Sequence, residues 1–186
     1  MRDEIILIGP MWAGKSTQGQ LVAARLGLPR CSIDELRWSY YQAAGYDADL
    51  AHRTSEVGGF LALYWYWKPF EIDSLERLVA EHRDCVFDLG AGHSVYEHRD
   101  FFERARRALA PFRNVVLLLP SPDTDTSIHL LRARGAAEGD VASAFDFTTH
   151  FVTHPSNREL ATHVVYTAGK TPDETCDEIL QVTGVG

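Results

Sequence analysis

Glu4-Ile5-Ile6-Leu7-Ile8-Gly9-Pro10-Met11-Trp12-Ala13-Gly14-Lys15-Ser16 sets a short, largely apolar strand directly before a turn that fits G-x-x-x-x-G-K-[ST] at every fixed position. Beyond the turn, Lys15 to Leu26 is rich in helix formers, with Leu21, Val22 and Leu26 in apolar register. Strand, glycine turn and helix in that order make a phosphate cradle. Glycine lets backbone amides turn inward around an anion, and the helix N-terminus adds the positive end of its dipole. The pattern predicts a nucleoside triphosphate, expected to be ATP, held by the turn from Gly9 and the backbone amides of Trp12, Ala13, Gly14, Lys15, Ser16 and Thr17. Lys15 is expected to reach the β- and γ-phosphates and the Ser16 hydroxyl to ligate Mg²⁺.

Composition narrows what surrounds this loop. The chain of 186 residues is long enough to bury a full core and fits one domain, residues 1–186. Hydrophobic residues make up 45% and charged residues 24%, as in an ordinary soluble globular chain. A net charge of −8 disfavours non-specific attraction to nucleic acid or an anionic membrane, while a local nucleotide site remains compatible with it. Cys31, Cys85 and Cys176 are scattered without a C-x-x-C pair, which suggests neither a disulfide framework nor a zinc site. The longest apolar runs fall short of a membrane span and residues 1–9 lack a cleavable-signal layout, so a cytoplasmic protein is expected.

Periodicity predicts further strands over residues 30–33, 85–88, 114–119 and 163–167. Helices are expected over 34–42, 101–110, 123–134, from near 145, and over 172–182, with a long helical region over 55–82 interrupted by Pro69. Strands alternating with helices imply an α/β three-layer sandwich of the P-loop kind, a parallel sheet of about five strands with helices on both faces. The helical region of about 34–82 is the expected substrate-binding part. A small, polar, glycine-bearing stretch after Arg134 suggests a lid over about 134–147.

Ligands bind outside the carboxyl ends of the strands in such a sheet, which directs attention to Asp34, Asp88 and Gly90-Ala91-Gly92. Asp88 follows three strand residues, the placement of an acid that holds Mg²⁺; a carboxylate capping the next turn is the plainer alternative. Asp34 suits a base that takes the proton of an attacking hydroxyl, and it equally suits an N-cap of the following helix. Gly90 to Gly92 lets a ligand approach the backbone, or makes an ordinary turn. His93 follows it, either touching substrate or exposed on the turn. The run Tyr64 to Trp67 either walls a substrate pocket or packs into the core. His150 and His154 are spaced for one helix face without a third metal ligand, and Arg104, Arg106 and Arg107 read as a solvated helix face.

These residues resemble the shikimate kinase family of P-loop small-molecule kinases, within the nucleoside monophosphate kinase fold, over nearly the whole chain. Leu7-Ile8-Gly9 through Thr17, with Gly19 and Leu26-Gly27-Leu28-Pro29, is similar to that family's opening. Ile33-Asp34-Glu35-Leu36 is similar to its acidic segment after strand 2, and Gly90-Ala91-Gly92 to its triple-glycine substrate turn. The resemblance implies a lid arginine at Arg132 or Arg134, a substrate- or phosphate-contacting arginine near Arg158, and an adenine-side loop running from Val165 to Pro172. It implies catalytic roles for Lys15, Asp34 and Arg134, with ATP and Mg²⁺ as cofactors.

The chain also departs from the family pattern. Ser32 stands where the family has a metal-associated aspartate, and Glu71 follows Phe70 where a carboxylate-binding arginine is expected. A carboxylate on the acceptor would then need Arg37 or Lys68 as its partner. The implied activity is ATP-dependent phosphorylation of a hydroxyl on a small metabolite, with an acceptor other than shikimate. A nucleoside or antibiotic kinase and a nucleotide-binding regulatory ATPase are the alternatives.

Overall fold

Successive side chains of the first strand point to opposite faces of the sheet, and both faces are apolar: Ile6 and Ile8 pack into one core layer, Ile5 and Leu7 into the other. A strand buried on both sides belongs in the middle of a sheet. In the computed structural model, which describes residues 1–139 and 144–185, that is where it lies. The sheet runs β2 (Arg30–Ser32), β3 (Val86–Asp88), β1 (Arg2–Ile8), β4 (Phe112–Leu119), β5 (His163–Tyr166), with every pair parallel. The five-stranded parallel sheet inferred from sequence is therefore present.

Helices α1 (Lys15–Leu26), α5 (Thr124–Ala137) and α8 (Pro172–Thr183) cover the Ile5/Leu7 face through Val22, Ile128, Leu131 and Ile179. The opposite face takes α2 (Ile33–Ala43), α3 (Ala48–Glu81), α4 (Arg99–Leu109) and α7 (Pro155–Leu160), with Ile72, Leu75 and Leu78 against Phe87 and Leu117. A smaller apolar cluster joins Tyr64, Val95 and Phe151, the last from α6 (Phe147–Thr153). A single 3-10 turn, Ala91–Ser94, follows β3.

Several elements differ from their expected bounds for identifiable reasons. β1 starts at Arg2, whose amide donates to Pro111 O at 2.8 Å and whose guanidinium donates to Val79 O and His82 O. α3 begins at Ala48, capped by the Asp47 carboxylate on Leu50 N at 2.9 Å, and it continues through Pro69. Pro69 and Trp65 both sit on the exposed side, where water can meet the carbonyl that lacks an N–H partner. The break falls instead at Gly59, with φ 65° and ψ −165°. α2 starts one residue before Asp34, with Ser32 as its N-cap residue, so Asp34 lies within the first turn and is not the cap. α5 extends three residues beyond Arg134; of the expected lid, residues 140–143 lie outside the described residues. Arg104 is not a solvated residue: it bridges Asp73 and Glu76 and clamps α4 to α3.

Candidate active site

The glycine loop closes tightly over the end of the sheet. Gly9 has φ 138°, and a Cβ there would come within 2.5 Å of Leu118 O, so only glycine fits between β1 and β4. Trp12 and Gly14 take left-handed conformations, with φ 64° and 91°. Alternating left- and right-handed residues turn successive amides to one side, which makes an anion nest, and α1 carries no acidic residue in its first turn to compete with an anion. A non-glycine residue at positive φ is strained, and such strain concentrates where a binding loop needs a particular shape.

Lys15 is buried at the base of the loop and donates to Pro10 O at 2.8 Å. Burial lowers its pKa, opposed by the charges of Asp88 and Asp34. These two acids come from different strand ends and meet the lysine only in the folded chain. Asp88 is also buried, and burial raises its pKa; Lys15, the nearby Ser16 hydroxyl and Arg30 act against that rise. Arg30 Nη1 donates to Asp88 Oδ2 at 3.2 Å. Gly19 permits this arrangement, since a Cβ there would press on both the Arg30 side chain and Asp88.

The donor set suits Mg²⁺. Ser16 and Asp88 lie close together beside the anion nest, and they are the oxygen ligands this ion takes while keeping waters and phosphate oxygens. No group of three or more His, Cys, Asp or Glu side chains forms a self-sufficient metal cage among the described residues.

The two arginines expected at the lid differ in what they reach. Arg134 Nη1 donates to Trp12 O at 3.2 Å, so α5 delivers this guanidinium to the phosphate loop. Arg132 instead binds Asp146 and the Thr149 hydroxyl at the start of α6, away from the loop. On the far side of α1, Gln18 Nε2 donates to Pro172 O at 2.9 Å and ties the helix to the loop before α8.

Beside the phosphate loop lies a cavity of about 170 Å³. Asp34 and Arg37 of α2, Tyr64, Trp67 and Glu71 of α3, and the turn at residues 90–93 line it. Only a residue without a side chain fits at Gly90, because a Cβ there would sit 2.8 Å from His93 Nδ1 and 2.9 Å from Asp34 Oδ1. At Gly92 a Cβ would overlap the Glu71 carboxylate. The small residues thus let an acid, a base and a second acid crowd around one turn. His93 is buried rather than exposed on the turn, and burial pushes its pKa down to about 3 against the opposing charge of Asp34.

Sequence reasoning placed Lys15, Asp34, Arg37, Asp88 and residues 90–93 near one another, and they converge here. Two other candidates stand apart. Lys68 is buried behind the cavity wall, donating to Gly92 O at 3.0 Å and Val95 O at 2.9 Å and pairing with Glu71. Arg158 is exposed on α7 and does not line the cavity. Glu71, read from sequence as a missing arginine, is a cavity-lining acid, and its i,i+3 spacing from Lys68 was the available signal. The aromatic run divides. Tyr64 and Trp67 line the cavity, Tyr66 packs on Tyr46 and Phe70, and Trp65 is half exposed. His150 is occupied by Glu97 Oε1 at 2.7 Å.

No family model matches the chain. It is 25% identical over 178 residues to a shikimate kinase of Marinomonas sp. (strain MWYL1), covering 95% of this chain and 89% of that relative. Among solved structures it resembles the shikimate kinase from Acinetobacter baumannii in complex with shikimate, at 21% identity and a TM-score of 0.67, covering 98% of this chain and 93% of the other. It also resembles a gluconokinase from Sinorhizobium meliloti 1021, at 17% identity and a TM-score of 0.61, covering 99% and 94%. The chain has the shikimate kinase-like P-loop α/β fold.

Proposed function

We propose that this chain, built on the shikimate kinase-like P-loop fold, is an ATP-dependent phosphotransferase that phosphorylates a hydroxyl of a small molecule. The observation that carries the reading is the convergence of Lys15, Asp34 and Asp88 between an anion nest and a separate cavity. A nucleotide hydrolase needs the nest and the metal acid; a second cavity with its own carboxylate at the junction serves an acceptor. The similarity to shikimate kinases and a gluconokinase supports the same class.

Trp12 to Thr17 would hold the phosphates by backbone amides, with Lys15 countering charge on the β- and γ-phosphate oxygens. Ser16 and Asp88 would hold Mg²⁺, which neutralises phosphate charge when bound. The Asp34 carboxylate would orient the acceptor hydroxyl and take its proton as the acceptor oxygen forms its bond to the γ-phosphorus and the bond to the ADP oxygen breaks. Arg134, already at the loop through Trp12 O, would place its planar fork on the transferring group. The lid expected over about 134–147, of which residues 140–143 lie outside the described residues, would exclude water, which otherwise consumes the phosphoryl group.

The test is purified protein incubated with ATP, Mg²⁺ and a library of metabolites and antibiotics, with products read by mass. A phosphorylated acceptor whose formation depends on Lys15 supports the reading. Nucleotide binding with slow hydrolysis that no acceptor stimulates would remove it and leave a nucleotide-binding regulator.

A further inference from the structure

The charges around the acceptor cavity are already matched. Two carboxylates line it, Asp34 and Glu71, and among the described residues Arg37 is the one lysine or arginine that does so. Arg37 Nη1 lies 3.5 Å from Asp34 Oδ1, with the guanidinium over the Trp38 and Trp67 rings at 4.8 and 5.6 Å. The next cation, Lys68, has no capacity left for a ligand. Its ammonium serves two backbone carbonyls, lies 2.7 Å from Glu71 Oε2 as an ion pair, and sits 4.0 Å above the Tyr64 ring. Each lining acid therefore already faces a base, Arg37 or Lys68, with Lys15 also near Asp34, and a further full charge of either sign would enter this partly enclosed space without a free partner among the lining residues.

The polar atoms that do lack protein partners suit hydroxyl groups. His93 is 1% exposed, and neither Nδ1 nor Nε2 has a hydrogen-bonding partner in the protein. A neutral imidazole offers one donor and one acceptor, the combination that adjacent hydroxyls satisfy. Arg37 Nε is a further buried donor without a partner. Opposite these groups, Phe60, Tyr64 and Trp67 supply an aromatic wall suited to the C–H face of a ring. A volume of about 170 Å³, against roughly 30 Å³ per water molecule, admits one small ring.

We propose that the acceptor is an uncharged polyhydroxylated ring of monosaccharide or cyclitol size, its hydroxyls read by His93, Arg37 and Glu71 and its apolar face set against Trp67. This rests on the kinase reading and adds the charge and class of the acceptor. It separates the cavity from one built for a carboxylate, because the cation nearest the aromatic wall is committed to Glu71 and the turn.

The experiment uses matched rings that differ in charge: glucose with glucuronate and glucosamine, and myo-inositol with quinate and shikimate. Mg-ATP binding is measured separately by calorimetry, and acceptor-dependent ADP release is confirmed by product mass. The neutral member of at least one set is expected to exceed its charged partners in kcat/KM by about ten-fold or more. A charged member that exceeds its neutral counterpart overturns the inference and leaves the kinase reading standing. Intact Mg-ATP binding with no member phosphorylated also overturns it, and the wider library then decides the kinase reading by itself. Glu71→Gln provides a second readout: releasing the Lys68 charge should raise the carboxylate-to-neutral kcat/KM ratio by about ten-fold. An unchanged ratio in folded Glu71→Gln protein would show that this charge balance does not select the acceptor.

Discussion

Lys68 Nζ lies 2.7 Å from Glu71 Oε2, one turn along α3, with both side chains almost wholly buried. The same ammonium holds the carbonyls of Gly92 and Val95, so a single lysine ties α3 to the turn after β3 and sets one wall of the cavity proposed to take the acceptor. Its role is to shape the site from behind.

Removing one partner of a buried ion pair leaves the other charge uncompensated. Lys68→Met should therefore destabilise the fold by about 3–5 kcal/mol, read as a shift in the urea midpoint. Lys68→Met combined with Glu71→Leu should recover much of that loss. A single variant as stable as the parent would show that the pair is not held in a desolvated site.

Gly90→Ala inserts a methyl group where Asp34 Oδ1 and His93 Nδ1 both approach. Misplacing a reacting group by about 1 Å costs on the order of 100-fold, so kcat should fall by that order while the KM for ATP changes little. Steady-state kinetics varying each substrate separate the two effects.

Asp34 projects from the first turn of α2 with its side chain 53% exposed, so its replacement should spare stability. Loss of a general base typically costs about 10²–10⁴-fold, and Asp34→Asn should lower kcat within that range without weakening Mg-ATP binding. Full turnover in this variant would exclude the proposed proton transfer.

Lys15→Ala removes the charge proposed to reach the phosphates. Loss of a charge-stabilising group of this kind costs about 10²–10³-fold in kcat, which single-turnover phosphoryl transfer would measure. Circular dichroism and a thermal melt establish that the variant remains folded.

His93 makes stability depend on pH with a defined sign. Its unfolded pKa is near 6.5 and its folded value about 3, with burial the main cause and Asp34, Lys68, Arg37 and Lys15 the charged neighbours. Between those values the unfolded chain binds the extra proton, so stability rises with pH up to about 6.5 and then levels. One proton corresponds to a slope of at most about 1.4 kcal/mol per pH unit. Glu97 adds a slope of the same sign lower down: burial pushes its carboxyl up, but hydrogen bonds from His150 and Tyr64 outweigh this and hold it at about 2. Urea melts of the parent and His93→Gln between pH 5 and 6.5 isolate the histidine, and equal slopes would rule it out.

The glycine loop, the apolar strand segments and the acids at the strand ends were legible because each is a local pattern. Ile5 to Ile8 alternate across two cores, a glycine turn needs particular residues at particular spacings, Asp88 ends β3, and Asp34 lies two residues beyond β2. The long helix was legible in outline only. Pro69 reads as a break in any local scheme, yet it sits on the exposed side of α3, and the backbone turns at Gly59 instead.

What remained hidden depended on residues far apart in the chain. Lys68 and Glu71 were visible as neighbours on a helix, but the turn they meet lies more than 20 residues on. His93 changes from a turn residue to a buried, neutral ring because α2, α3 and the glycine turn close around it. Arg132 and Arg134 are two residues apart on one helix, and the turn between them sends one to α6 and the other to Trp12 O. Local spacing and backbone preference were therefore enough to predict the glycine loop and its place between β1 and α1. For the cavity beside it, sequence named several of the lining residues, but their burial and charge pairing came only from packing, because these are properties of the space several elements enclose together.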